Sequence, residues 1–211
     1  MLPFGRPAAF YLTPSTPALI TYEQGISPKH TLNVHDVDGE GREWTVQGSV
    51  AKVSIYNSKN LTLCLSGRII TSTVEVFNSS SLKLVVGPSS SSDEASPLGV
   101  LQLDPTLRDV MVRYTLSTAV GNVVVAPNLS TDADGRPSFG FSSITLQAGD
   151  DEPFSLFDAE GNLHDPASVD TPLSPSNPPS DLSRQLVVSR EGQRWKLAGL
   201  ARGEKDYPQL A

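Results

Sequence analysis

The chain has 211 residues, 38% of them apolar, and carries 23 acidic against 16 basic residues for a formal net charge of -7. An acidic balance without a clustered basic stretch argues against nucleic-acid binding, which is driven by counterion release at a basic face. No run approaches the roughly 20 apolar residues that cross a bilayer, and Cys64, the only cysteine, cannot form an internal disulfide, which suits a reducing compartment.

The N-terminus is apolar but broken by Pro3 and Pro7, with Arg6 as its only early charge, so it makes a poor signal peptide. The expected location is cytoplasmic, away from membranes. Residues 1–30 read as an extended lead-in with one strand at 18–22. Thr31-Leu-Asn-Val34 then leads into His35-Asp-Val-Asp-Gly-Glu-Gly41, a cluster of turn formers. Alternation of apolar and polar residues resumes at Trp44-Thr-Val46.

Between Lys52 and Val86 the chain repeats itself at a constant offset of 21 residues. Val53, Ile55, Leu61, Leu63 and Leu65 recur as Val74, Val76, Leu82, Leu84 and Val86, and Tyr56-Asn57-Ser58 recurs as Phe77-Asn78-Ser79. Each copy is an alternating strand, an aromatic-Asn-Ser corner and a second alternating strand. Alternate residues of a strand share a face, so the apolar set points inward and Ser54, Thr62, Glu75 and Lys83 point out. A period in the twenties marks stacked coils, because one coil cannot bury its own apolar face. Antiparallel meanders also alternate, but only stacked parallel coils require each corner to superpose on the next. Asn tolerates the left-handed conformation of a sharp corner, and stacking would set Asn57 over Asn78 in an amide ladder.

Residues 88–97 are Ser/Pro-rich and are expected as a mobile surface insertion. A degenerate third copy follows, with Leu101 and Leu103 in its first strand and Val110 and Val112 in its second. Residues 121–127 and 142–146 read as closing strands. Past Gly149 comes a Pro/Ser-rich linker at 165–180, a hairpin around Arg190-Glu-Gly192, and a polar tail from 201. The expected fold is thus all-β: a lead-in (1–30), a parallel β-helix of coils about 20 residues long (31–149), and a linker, small hairpin and tail (150–211).

The stretch from Glu43-Trp44-Thr-Val46 through Val53-Ser-Ile-Tyr-Asn-Ser-Lys-Asn-Leu-Thr-Leu-Cys-Leu-Ser-Gly67-Arg68 to Ser72-Thr-Val-Glu-Val-Phe-Asn-Ser-Ser-Ser-Leu-Lys-Leu84 resembles the C-terminal domain of cyclase-associated proteins. Tubulin-binding cofactor C belongs to the same superfamily. The likeness covers about residues 43–127. It implies a right-handed parallel β-helix, a non-enzymatic role in binding monomeric actin, and a homodimer formed by C-terminal strand exchange. In the cofactor C branch an arginine after paired glutamines acts on the GTPase of tubulin; this chain has no Gln-Gln-x-Arg.

The residues expected to meet a protein partner are Lys52, Lys59, Lys83 and Arg108, as a basic stripe for an acidic surface, with Tyr56 and Phe77 as aromatic anchors. Lys59 and Arg108 should share a corner, with Ser80 between them. Arg68 and Arg108 are the candidates for a GTPase-directed arginine, and the bland reading of Arg68 is a turn residue paired with Glu75 or Asp109. No cofactor is expected. Asp36 opens a calcium-like loop, but Gln47 stands where a bidentate Glu is required. His30, His35 and His164 are too scattered with Cys64 for a metal site, and no Gly-x-Ser-x-Gly elbow occurs. Asp150, Asp151, Glu152 and Asp158 leave a β-helical carbohydrate-active enzyme as a further alternative. The three Asn-x-Ser/Thr triplets, at Asn60, Asn78 and Asn128, need no more than chance in a Ser/Thr-rich chain.

Overall fold

A computed structural model describes residues 8–87, 98–104, 106–126, 130–131, 134–135, 137–167 and 185–199. The expected insertion at 88–97, most of the linker and the polar tail lie outside the described residues.

In chain order the strands are β1 (Ala8–Tyr11), β2 (Leu19–Ile20), β3 (His30–His35), β4 (Asp38–Val46), β5 (Lys52–Tyr56), β6 (Lys59–Leu65), β7 (Thr73–Phe77), β8 (Ser80–Val86) and β9 (Val100–Leu103). They continue as β10 (Arg108–Tyr114), β11 (Asn122–Val125), β12 (Ser130–Thr131), β13 (Pro137–Ser138), β14 (Ser142–Ala148), β15 (Phe154–Phe157), β16 (Leu186–Glu191) and β17 (Arg194–Gly199). Among the described residues there is no α-helix. One sheet runs β1-β3-β5-β7-β9-β11-β16-β17 and the other β15-β14-β10-β8-β6-β4-β2, with β12 and β13 forming a small separate pair. From β1 to β11 consecutive strands thus alternate between sheets, and each sheet is parallel except at its C-terminal end. The arrangement is β-helix-like, and the reading of parallel rungs over an antiparallel meander holds.

The 21-residue offset is the hydrogen-bonding register itself. Val53 pairs with Val74, Ile55 with Val76 and Tyr56 with Phe77 in the first sheet; Leu61 pairs with Leu82 and Leu63 with Leu84 in the second. Inward positions therefore stack in columns. Leu32, Val53, Val74, Leu101 and Val123 form one such column, each 0% exposed. Removing any of these side chains to Ala would open a cavity at a cost of about 2–5 kcal/mol. Gly67 takes the turn between rungs because a Cβ there would strike the carbonyl of Gly48 in the rung below.

Three expectations need correction. Residues 8–29 are a full rung rather than a lead-in: β1 pairs with β3 and β2 with β4, burying Leu12, Ile20 and Ile26. Its second strand is only Leu19–Ile20, because Thr21 and Gln24 form a capping box that starts a single 3-10 turn at Tyr22. The His35–Gly41 cluster turns only at Asp36 and Val37, a corner like those at Tyr56 and Phe77, because β4 already begins at Asp38 rather than near Trp44 and pairs Asp38 with Lys59. The C-terminal hairpin is continuous with the stack: β16 adds antiparallel to β11, and β15 adds antiparallel to β14. Arg190, whose side chain is 4% exposed, pairs with Asp151 and lies 5.4 Å over the Trp195 ring, tying the hairpin to the β14–β15 turn.

Candidate functional site

The corner where the first sheet turns into the second is the most elaborate surface of the stack. Asp36, Asn57 and Asn78 occupy it in successive rungs with φ of 55°, 49° and 42°, the left-handed region in which Asn and Asp are the least strained side chains after glycine. Their side chains ladder as expected. Thr106 Oγ1 donates to Asn78 Oδ1 at 3.1 Å, Asn78 Nδ2 to Asn57 Oδ1 at 3.2 Å, and Asn57 Nδ2 to Asp36 Oδ1 at 2.6 Å. The direction is fixed at one end: a carboxylate only accepts, so Asn57 must present its amide nitrogen to Asp36 and its oxygen to Asn78. Such a chain polarises toward the carboxylate.

Beneath the ladder a second column holds the turn from inside. Ser58 and Ser79 are 1% and 3% exposed. Val37 N–H donates to Ser58 Oγ at 3.2 Å, and Ser58 N–H donates to Ser79 Oγ at 3.1 Å. Each hydroxyl satisfies an amide that the corner removes from the strand ladders, which is why serine recurs after asparagine.

Two rails flank the ladder. On the first-sheet side stand His35, Tyr56 and Phe77 in register, with Tyr11 one rung further out. Tyr11 and His35 meet edge to face at 6.3 Å and His35 and Tyr56 at 5.9 Å; Tyr11 is 61% and Tyr56 46% exposed. On the second-sheet side Asp38, Lys59, Ser80 and Arg108 align, as expected for Lys59 and Arg108 on either side of Ser80. A shallow groove of about 360 Å³ runs along this edge, lined by Asp36, Asp38, Asn57, Lys59, Asn78 and Ser80 among others.

Four of the six expected partner residues thus come together: Tyr56, Phe77, Lys59 and Arg108. Lys52 lies at the far end of β5 and Lys83 on the outward face of β8, where it lines a separate groove of about 510 Å³ with Thr62, Asp109 and Met111. The cations are mostly engaged within the chain. Lys59 bridges Asp38 at 3.2 Å and Lys52 bridges Glu75 at 2.6 Å, while Arg108 donates to the carbonyls of Leu107 and Gly140. Lys83 makes no ion pair among the described residues. Arg68 is exposed and, among the described residues, pairs with neither Glu75 nor Asp109. Hydrogen bonds from Asn60 and the Glu40 amide, together with Lys59, hold the Asp38 carboxyl below its usual range. Burial raises that of Asp104, with Gln102 opposing the shift and Glu75 adding to it.

Neither His35 nor Tyr11 was read from sequence as part of the aromatic set, although His35 stands 21 residues before Tyr56. Asp38, too, precedes Lys59 by one repeat, so the ion pair was open to the same arithmetic.

Chemically the edge offers aromatic faces, amides and compensated charge. Ser27 Oγ lies 2.7 Å from His30 Nδ1 and Ser54 Oγ 3.2 Å from His35 Nε2, but among the described residues neither imidazole has a carboxylate on its other nitrogen. His164 and Asp158, 3.2 Å apart, belong to the turn after β15. Among the described residues no three His, Cys, Asp or Glu side chains are grouped to hold a metal ion. No protein-family model, curated protein or solved structure matches the chain.

Proposed function

We propose that this chain is a right-handed parallel β-helix of the cyclase-associated protein and cofactor C type, a non-enzymatic cytoplasmic module that binds monomeric actin along its ladder edge. The observation that supports this most is the aromatic rail. His35, Tyr56 and Phe77 are held in one line by strand register, Tyr11 packs edge to face on His35 from the first rung, and Tyr11 and Tyr56 are about half exposed or more. Pre-aligned aromatic rings contribute contact area at little entropic cost and are enriched where protein interfaces concentrate their energy. The asparagine ladder stiffens the adjacent corner, so the rail needs no reordering on binding.

With Lys59 and Lys52 compensated inside the chain, the anchors are Tyr56 and Phe77, and the charges set register rather than affinity. Arg108 continues the Lys59–Ser80 column beside them, while Lys83 faces the separate groove on the second sheet. Fluorescence titration of labelled monomeric actin should saturate, and Tyr56→Ala should weaken it about tenfold or more while leaving thermal unfolding unchanged. No binding at tens of micromolar would remove actin as the partner; binding indifferent to Tyr56→Ala and Phe77→Ala would remove the rail as the site.

A further inference from the structure

The two stacked sheets end in four edge strands, and an uncovered edge is a template for pairing with another chain. Three are guarded. β2 is only two residues long, and the segment leading into it offers little to pair with: Arg42 and Trp44 of β4 take the Pro14 and Thr16 carbonyls, the latter at 3.1 Å, and Pro14 and Pro17 have no N–H to offer. β15 is covered by its own returning chain, through a Phe157–Leu163 bridge and the His164 N–H on the Leu156 carbonyl at 2.9 Å. β17 carries exposed Arg194 and Lys196, the latter bridged to Glu191 at 2.9 Å, and edge cations of this kind discourage pairing.

Among the described residues β1 has none of these devices. Ala8-Ala9-Phe10-Tyr11 contains no charge and no proline, and it pairs with β3 without a register shift. It is the terminal strand of its sheet, with Ala8, Ala9 and Tyr11 exposed. Three of the five exposed large apolar side chains of the described residues, Tyr11, Leu19 and Tyr22, fall in this first rung.

Charge selects the occupant. Of residues 8–30 only Glu23 and Lys29 are charged, with opposite signs, in a chain whose net charge is -7. Two copies repel wherever they meet through acidic surface; this end is the neutral one. A two-fold axis normal to the sheets would set β1 antiparallel to β1 of a second copy, giving a closed, self-complementary contact. We propose that two copies of the chain associate end to end through β1, so that the first sheet runs through both. This contact is at the opposite end of the stack from β16–β17, and it does not depend on the actin reading.

Sedimentation velocity on the purified full chain, from about 1 to 100 µM, should show a concentration-dependent dimer. Ala9→Lys places like charges across the two-fold axis and should weaken association about tenfold or more. Because Ala9 is exposed, the melting temperature of the variant monomer should not fall. Amide exchange at 8–11 should slow as concentration rises. A wild-type chain that stays monomeric throughout overturns the proposal, as does a dimer that Ala9→Lys leaves intact. If deleting residues 1–7 converts a monomer into a dimer, that segment rather than a second copy occupies the edge, and the proposal also falls.

Discussion

Ser58→Ala isolates the device that makes one corner superpose on the next. The hydroxyl is buried, accepts the Val37 amide at 3.2 Å and lies 3.0 Å and 2.9 Å from the Val34 and Tyr56 carbonyls. Alanine fills nearly the same space, so the cavity contribution is small and the cost is that of leaving a buried N–H without a partner, about 1–3 kcal/mol. Taking about 2 kcal/mol and a urea slope of about 2–3 kcal/mol/M, the unfolding midpoint should fall by roughly 0.7–1 M. The slope itself should not change. Ser79→Ala, which strips the acceptor from the Ser58 amide, should behave alike. Ser54→Ala, half-buried and outward, should stay within about 0.5 kcal/mol of wild type. Exchange of the Val37 amide, followed site by site, should accelerate only in the Ser58 variant. A midpoint shift under about 0.2 M for Ser58→Ala would refute the idea that serine hydroxyls complete the corner.

Tyr114 is fully buried and its hydroxyl has no partner among the described residues, and burial raises its phenol far above the usual range; Tyr114→Phe should therefore be neutral or stabilising by about 1 kcal/mol in the same urea titration, and a loss beyond about 1 kcal/mol would mean the hydroxyl is bonded. Burial alone would raise the Asp158 carboxyl, but hydrogen bonds from Asn162 and His164 outweigh it and hold it below the usual range. A depressed folded-state value stabilises above the unfolded pKa of about 4 and is lost as pH falls through the folded one. The stability gap between wild type and Asp158→Asn should accordingly close on acidification below about pH 4, and a gap that widens there would reverse the sign. For Cys64, burial and the neighbouring Glu43 raise the thiol, so alkylation at mildly alkaline pH should be slower than for a free thiol and should quicken in Glu43→Gln; an unchanged rate would leave Glu43 without a role.

The parallel stack was readable from sequence because Tyr56-Asn57-Ser58 and Phe77-Asn78-Ser79 carry the same corner chemistry at constant spacing, and the ladder followed from superposing them. The rung before them was hidden by two extra residues: the offset is 21 at Asp38↔Lys59 but 19 at Arg42↔Leu61, with Gly39-Glu-Gly41 absorbing the difference. That slip breaks the period just where His35-Asp36-Val37 repeats the corner. The first rung escaped notice because its second strand is two residues long and flanked by Pro17 and a capped turn, too short for alternation to register.

At the site, the aromatic pair and the Lys59–Ser80–Arg108 column were placed by register alone. The neutralisation of Lys59 and Lys52 was not foreseen: Asp38 stands one repeat before Lys59 and was open to the repeat arithmetic, whereas Glu75, two residues off that offset from Lys52, reaches it only diagonally across the stack. The closing of the stack by β15 and β16 depended on a reversal of strand direction, for which the linker composition carried no signal.

Whether consecutive rungs lie parallel and in register is tested most directly by one substitution. Cys64 and Val85 are register partners on adjacent strands of the second sheet, both half-buried, and neighbouring strands lie about 4.8 Å apart, within disulfide reach. Val85→Cys should therefore form an intramolecular bond to Cys64 on mild oxidation, visible by peptide mapping, whereas Lys83→Cys, displaced diagonally by about 7–8 Å, should do so far less. A meander would place β7 between β6 and β8 and hold the two sulfurs roughly two strand spacings apart; free thiols in oxidised Val85→Cys would contradict the stacked arrangement.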